Sequence, residues 1–367
     1  MTALVTAVSC ALLFVVLWDA LRLTRLFYRY TWIPWSAVGR RIRTGKRREA
    51  YLSFYGPLSL LLLLSVWAMS LIVGFGMLQW ALGSALNAPE GTATFGTDLY
   101  MSGTTFFTLG LGDVTPRTPL ARALTVMEAG TGFGFLAMVI AYLPVLYQAF
   151  SRREVSISLL DARAGSPPSA AALLRRHGQG HMEELGQLLR DWERWSAELL
   201  ESHLSYPVLG YYRSQHDNQS WLAALTTILD ASALAIVGID GGPARQARLT
   251  FAMARHAVVD LAQIFNTPPR APEPDRLPPA DLTSLQETLA AAGVLLCDGD
   301  TADQKLAELR RLYEPYVNAL ADYLCVVLPP WALAANAVDN WQTSAWERSS
   351  TGIAASPLSD AHTDEHF

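Results

Sequence analysis

The chain has 367 residues, of which 51% are hydrophobic and 17% charged, whereas an ordinary soluble domain carries about 25% charge. Because the formal net charge is −5, the composition gives no sign of a nucleic-acid-binding protein. The three cysteines, Cys10, Cys297 and Cys325, lie far apart without a CxxC pair, so neither a disulfide framework nor a zinc site is predicted. The low charge predicts that part of the chain lies in a membrane.

Three long uncharged stretches predict membrane-spanning helices, at residues 2–18, 58–86 and 129–151. The second and third exceed the roughly 18 residues that are typical of a membrane span. The first is either a signal peptide or an uncleaved anchor. No basic residue precedes it and a poor cleavage site follows, which favours an N-terminal anchor at residues 1–21.

The charges of the next region, residues 22–56, predict the orientation. This region contains a single acid, Glu49. Its basic residues are Arg22, Arg25, Arg29, Arg40, Arg41, Arg43, Lys46, Arg47 and Arg48. By the positive-inside rule it is a basic cytoplasmic loop, so we expect the N-terminus outside and everything after about residue 152 in the cytoplasm. The expected location is the inner (plasma) membrane, with the lipid bilayer as a partner.

The stretch between the second and third spans is too apolar for a plain external loop. Thr97 or Asp98 is a plausible N-cap for a helix at residues 99–107, which is too short to cross a bilayer, so a re-entrant segment is predicted. It ends in TLGLGD, residues 108–113, where glycines alternate with leucines. Glycine reaches positive φ angles that leucine avoids, so this backbone can turn successive carbonyl oxygens to one side. Rings of such oxygens can replace the water shell of a cation.

This segment resembles the pore loop of the potassium channel superfamily, whose filter is usually written TVGYGD. The resemblance covers a pore domain at residues 57–152 and is greatest to the bacterial two-helix (ion channel 2) type, with one additional N-terminal span. It implies a selectivity filter made of Thr108, Leu109, Gly110, Leu111 and Gly112. A permeant potassium ion would bind the backbone carbonyls of the first four. Because one loop cannot enclose an ion and the chain has a single copy of the motif, a homotetramer is implied.

The resemblance also implies roles around the filter. Asp113 takes the place of the family's acid behind the outer mouth, and Arg122 that of a basic residue that opens the inner helix. Leu111 replaces the aromatic residue whose hydroxyl usually braces the filter, and Tyr100 and Met101 stand where some relatives carry a Trp pair. We therefore expect a preference for potassium with a looser brace, which could admit sodium.

The third span contains candidate support and gate residues. Glu128 is its one carboxylate, and an acid inside a membrane marks function. It either braces the filter from behind, against Arg122 or Thr104, or lies at the outer interface in contact with water. Gly132 falls at the family's hinge glycine and either bends the inner helix or permits close packing. Pro144 predicts a kink that would shape an intracellular gate.

From residue 166 onward the composition predicts a helical cytoplasmic regulatory domain at 166–345 and a disordered tail at 346–367. Helices are expected at 169–176, 182–203, 219–237, 243–265, 281–296 and 301–327, with a proline-rich break at 267–279 that divides the region. The sequence shows no glycine-rich nucleotide loop, EF-hand or catalytic triad. We therefore expect neither an enzyme nor a cofactor. The domain either holds the tetramer together or responds to a small-molecule or ion regulator.

These features predict an all-α membrane protein with a tetrameric pore-loop channel domain followed by an α-helical cytoplasmic domain. The expected function is passive permeation of cations, potassium above others, gated by the inner helix and the cytoplasmic domain. The alternative is a weakly selective or non-conducting membrane sensor or scaffold that keeps the pore fold. A membrane-tethered enzyme has no catalytic constellation to support it.

Overall fold

A computed structural model describes residues 20–43, 45–89, 91–178, 181–214, 218–239, 242–297 and 299–332. The predicted first span and the predicted tail lie outside these residues. The described chain is an all-α membrane protein that divides into two compact units. Described residues 20–41 and 54–147 form the first unit, and 42–53 and 148–332 form the second.

The first unit is built from long helices and one short ribbon. Its helices are α1 (Ala20–Arg41), α3 (Tyr55–Ala81), α4 (Phe95–Phe106) and the first part of α5 (Pro119–Ala164). Strand β1 (Leu86–Asn87) pairs antiparallel with β2 (Thr115–Pro116), with Leu86 opposite Pro116. Ala68 and Ile72 of α3 pack with Phe106 at the end of α4 in a small hydrophobic core. This packing places α4 between α3 and α5.

The region expected to be a basic loop, residues 22–56, is mostly helical. It forms α1 and, in the second unit, α2 (Lys46–Ser53). Tyr28 and Trp32 of α1 are buried, and the Trp32 ring lies edge to face with Tyr55 at the start of α3, with ring centroids 4.7 Å apart. The Thr31 hydroxyl lies 2.8 Å from the Tyr55 hydroxyl. The arginines dominate the composition of this region, so it was predicted to be a loop. Its aromatic residues form a packing face only when the sequence is placed on a helix, where residues three or four apart share one side.

Three helical stretches among the described residues are long and apolar enough to span a membrane: Lys46–Ala81, Pro119–Ala164 and Trp221–Gly238. The first overlaps the predicted second span and the second contains the predicted third span, but α3 ends earlier than expected. Gly83 and Ser84, with φ values of +87° and +49°, follow in left-handed conformations that a helix cannot continue. The third stretch is different, because 89% of its most apolar window is buried, against 33% and 11% in the other two. It is a core helix of the second unit.

The second unit packs its helices around this core helix. Besides α2 and the last part of α5, it contains α6 (Ala170–Arg176), α7 (Met182–Ser205), a 3₁₀ turn (Pro207–Tyr211), α8 (Trp221–Gly238), α9 (Ala244–Ile264), α10 (Pro279–Ala291), α11 (Asp300–Arg311) and α12 (Glu314–Leu324). Every residue of α8 from Trp221 to Ile236 is buried. The helix predicted at 301–327 is two helices, because Pro315 lacks the N–H that an interior position needs and instead starts α12.

The proline-rich segment at 267–279 was expected to divide this region, but it is anchored within it. Arg276 forms ion pairs with Asp230 of α8 at 2.7 Å and with Glu314 of α12 at 3.2 Å. Tyr313 also donates a hydrogen bond to Asp230. The guanidinium therefore ties the segment to two helices that are distant in sequence.

Candidate ion-conducting site

Helix α4 begins earlier than the sequence predicts. Its N-cap is Thr94, whose hydroxyl accepts a hydrogen bond from the Thr97 amide at 3.4 Å, while the Thr97 hydroxyl accepts one from the Thr94 amide at 3.1 Å. This reciprocal pair is a capping box. Asp98 is not a cap: it is fully buried and accepts a hydrogen bond from the Ser84 hydroxyl at 2.6 Å. The prediction of Thr97 or Asp98 as the N-cap was therefore wrong.

The C-terminus of α4 leads directly into the predicted filter. The Leu109 amide donates to the Thr104 carbonyl at 2.8 Å, and the Thr108 amide donates to the Thr105 carbonyl at 3.0 Å. This is the Schellman arrangement, which requires a left-handed residue after the helix. That residue is Thr108, with φ +57°. A β-branched side chain is rarely found there, so the fold holds the first filter residue in a strained conformation.

Left-handed backbone recurs at every second residue of the filter segment. Gly110 and Gly112 have φ values of +57° and +79°, so the left-handed positions 108, 110 and 112 alternate with Leu109 and Leu111. A Cβ at either glycine would meet no atom of this chain within 4 Å. Backbone conformation, and not crowding within the chain, is therefore what demands glycine here. Such alternation changes the direction of successive peptide groups.

Three hydrogen bonds hold the C-terminal end of this segment. Asp113 accepts a hydrogen bond at 2.8 Å from the hydroxyl of Tyr100 on α4. The Arg117 amide donates to the Ala85 carbonyl at 2.8 Å, and its side chain donates to the Asn87 side chain, which extends the β1–β2 ribbon. Tyr100, which stands where some relatives carry a Trp and was expected to leave the filter without a brace, supplies one through its hydroxyl. The sequence signal that could have predicted this bond was a hydroxyl-bearing side chain at a position where some relatives carry Trp.

Glu128 lies behind α4 and is fully buried within a single chain. It forms a short hydrogen bond with Ser102 of α4, and the Ser102 hydroxyl also lies 2.7 Å from the Ile72 carbonyl of α3. The hydroxyl has one hydrogen and two acceptors in reach, so a proton on Glu128 would allow both bonds. The carboxylate thus joins the three helices of this unit that surround the filter segment.

The partners foreseen for Glu128 make other contacts. Thr104 donates from its hydroxyl to the Met101 carbonyl of its own helix at 3.0 Å. The Arg122 side chain donates to the Pro116 carbonyl at 3.2 Å. The expectation of Arg122 or Thr104 as partner was therefore wrong, and contact with water does not occur within the described chain. Ser102 was missed because an ordinary serine in a helix carries no sequence signal.

Gly132 lies where α5 packs directly against the backbone at the end of α4. A Cβ at this position would overlap the carbonyl oxygen of Phe106, two residues before the filter. Glycine is thus required for close packing, which is one of the two interpretations given for this residue. Helix α5 continues without a break through both Gly132 and Pro144. A bend at Gly132 and a gate at Pro144 stay predictions.

A short helix that ends in a glycine-alternating loop, between two apolar helices, defines the class of pore-loop ion channels. Residues 59–148 match the family model described as Ion channel, of the two-transmembrane potassium channel type. The match over these residues confirms the resemblance to the potassium channel superfamily.

One curated relative is the Uncharacterized membrane protein YdjJ of Bacillus subtilis. It is 24% identical over 257 residues, which cover 69% of this chain and 74% of the relative. No solved structure matches the chain significantly. Since the alignment with YdjJ is longer than the segment 59–148, the similarity extends beyond the pore region.

Proposed function

We propose that this protein is a cation channel of the plasma membrane that conducts potassium through the backbone carbonyls of TLGLGD in a homotetramer. The observation that carries the proposal is the alternation of left-handed backbone at Thr108, Gly110 and Gly112, in a segment that matches an ion channel family. No cofactor, nucleic acid or catalytic step has a part in this function.

In this mechanism the carbonyl oxygens of Thr108, Leu109, Gly110 and Leu111 replace the hydration shell of the ion, and Gly112 turns the chain away at the outer end. One copy supplies one wall of the pore, so four copies are needed. The C-terminus of α4 ends at the filter, and its partial negative charge stabilises a cation there. The bond from Tyr100 to Asp113 holds the outer end.

Selectivity in this mechanism depends on how firmly the filter is held. Leu111 has no hydroxyl with which to bond the surrounding helices, and its side chain is 64% exposed in the single chain. The described braces act on either side of the filter, through Asp113 and through Ser102 with Glu128. We therefore propose a preference for potassium with weaker rejection of sodium than a fully braced filter would give.

Gating would act through α5, which is one continuous helix from the pore region into the second unit. Within the second unit, Arg153 of α5 is buried and donates hydrogen bonds to the carbonyls of Leu209 and Tyr212, both at 2.8 Å. It also pairs with Glu154 at 2.9 Å. A movement of the helical unit would therefore displace the end of α5 and, along it, the inner end of the pore.

A histidine beside Arg153 adds no charge to this attachment at physiological pH. His203 lies beside it, with its ring 3.4 Å from the guanidinium, and burial followed by the Arg153 charge lowers the pKa of His203 to about 3. His203 consequently stays neutral through the physiological range. We propose a small molecule or an ion as the regulator of this unit.

The test is potassium flux from liposomes that contain the full-length protein. The variant Gly110→Ala should abolish the flux, because an alanine backbone is strained at the φ of +57° that position 110 adopts. Gly96→Ala is the control, because a Cβ there makes only an ordinary contact and φ is not left-handed. Undiminished flux in Gly110→Ala would reject the filter. A folded wild-type protein without flux would favour the sensor or scaffold function, and the reversal potential in mixed sodium and potassium would measure selectivity.

A further inference from the structure

Helix α1 has two apolar faces, and α3 covers one of them. The packed face carries Tyr28, Trp32 and Trp35, and the rings of Trp32 and Trp35 lie 4.7 and 5.8 Å from that of Tyr55. Tyr28 and Trp32 are 6% and 2% exposed. These contacts fix α1 along the start of a helix that spans the membrane.

The opposite face of α1 carries a second apolar stripe, formed by Leu26, Tyr30 and Ile33. These side chains are 47%, 67% and 54% exposed. Their spacing of four and then three residues places them on one side of the helix, and Ala37, also exposed, continues the line. The stripe from Leu26 to Ala37 is about 16 Å long at 1.5 Å per residue.

Arginines border this stripe on both sides. At 100° per residue, Arg29 and Arg40 fall on one side and Arg41 on the other, and all three are exposed. The sequence of α1 contains no Asp or Glu. An apolar stripe with an aromatic residue and cationic borders is typical of a helix that lies in the headgroup region of a bilayer and binds anionic lipid.

We propose that the Leu26–Tyr30–Ile33 stripe is embedded in one membrane leaflet and that Arg29 and Arg41 bind the phosphates of anionic lipids. In the orientation that the positive-inside rule predicts, this is the cytoplasmic leaflet. Lipid fits the face better than a second copy does, because two copies would bring like-charged arginine borders together. Lipid is also adjacent, since the other face of α1 packs on a membrane-spanning helix.

The apolar part is tested with a bimane fluorophore on Ile33→Cys in the full-length protein, with Cys10, Cys297 and Cys325 replaced by alanine. The protein is placed in nanodiscs of phosphatidylcholine mixed with phosphatidylglycerol. Acyl-brominated lipid should quench the fluorophore and aqueous iodide should not. The control is Leu249→Cys on α9, where the native side chain is 47% exposed; we expect quenching by iodide there. Iodide quenching at position 33 equal to that at position 249, or protection from both quenchers, would overturn the proposal.

The charge part compares nanodiscs with and without phosphatidylglycerol. Quenching by brominated lipid at position 33 should increase about twofold when the anionic lipid is present, because the arginines are then attracted to the surface. The double variant Arg29→Gln and Arg41→Gln should lose this increase. The matched variant Arg245→Gln and Arg248→Gln, on an exposed part of α9, should keep it. Equal quenching in both lipid mixtures would overturn the role of the arginines. Potassium flux, measured separately, reports on the channel whether or not this inference holds.

Discussion

At the scale of single residues, the filter segment has one residue in a strained backbone conformation, and it is held by a tyrosine hydroxyl at a position other than the usual one. Thr108 is held in a left-handed conformation by the two hydrogen bonds that end α4. Asp113, five residues later, is held by the hydroxyl of Tyr100. The filter is therefore fixed at both ends by α4, and the filter residue Leu111 itself contributes no hydroxyl.

Replacing Tyr100 with Phe should weaken the outer end of the filter without disturbing packing. The variant removes one hydrogen bond, worth about 1 kcal/mol, so we expect the sodium-to-potassium permeability ratio to rise roughly fivefold. Reversal potentials in mixed sodium and potassium measure this ratio. Tyr316→Phe, in the second unit, removes a hydroxyl far along the chain and should leave it unchanged. An unaltered ratio in Tyr100→Phe would show that the bond to Asp113 does not support selectivity.

At the scale of elements, α4 is held between its neighbours by close backbone approaches and one buried acid. A Cβ at Gly76 of α3 would lie 3.3 Å from the Leu99 Cα, and Gly132 of α5 meets the Phe106 carbonyl. Glu128 and Ser102 add the polar link to the Ile72 carbonyl of α3. The position of the filter consequently depends on how these three helices pack.

The variants Glu128→Gln and Glu128→Ala should separate hydrogen bonding from charge. The glutamine amide can donate to Ser102, so that variant should stay within about 1 kcal/mol of wild type, whereas alanine leaves a cavity and an unmatched hydroxyl and should cost about 2 to 3 kcal/mol. Thermal unfolding of the full-length protein in nanodiscs measures both. If glutamine is as harmful as alanine, the carboxylate charge is what the site requires.

At the scale of the whole molecule, two helices of similar hydropathy, α5 and α8, lie in opposite environments. Helix α8 is apolar enough to span a membrane, yet it is the buried centre of the second unit, while α5 is apolar and mostly uncovered. In the second unit, Arg276 joins the proline-rich segment to Asp230 and Glu314. This buried ion network determines how that segment sits among the helices.

Replacing Arg276 with Met should destabilise the second unit by about 3 kcal/mol at pH 7.5, because it leaves the buried Asp230 without its ion-pair partner and Glu314 with Arg310 alone. Burial already raises the pKa of Glu314, with the charges of Arg310 and Arg276 opposing it. Without Arg276 that pKa rises further, so folding favours the protonated acid, and the deficit should shrink as the pH falls to 5.5.

Denaturation midpoints of the full-length variants at the two pH values measure this effect. Arg270→Met is the control, because its ion pair with Asp322 is exposed, at 69% and 56%, and such pairs contribute little. A deficit that does not change with pH would exclude Glu314 as the group responsible.

The features that could be predicted from the sequence are those set by interactions between residues close together in the chain. The apolar spans, the glycine alternation of TLGLGD and most helices of the second unit were predictable, because composition and helical spacing act within a few residues. The helix predicted at 301–327 was wrong because the boundary at Pro315 was overlooked. The expected partners of Glu128 were wrong because its contact with Ser102 joins two helices and depends on tertiary packing.

The sequence by itself determined that this chain is an all-α membrane protein with a channel-like pore loop, since uncharged length and the conformational freedom of glycine are local properties. Only the tertiary structure decided that Tyr100 holds Asp113, that Ser102 meets Glu128 and that α8 is a core helix. Each of these depends on which surfaces pack against one another. Packing brings together residues that are far apart in the chain, and no periodic pattern in the sequence marks such pairs.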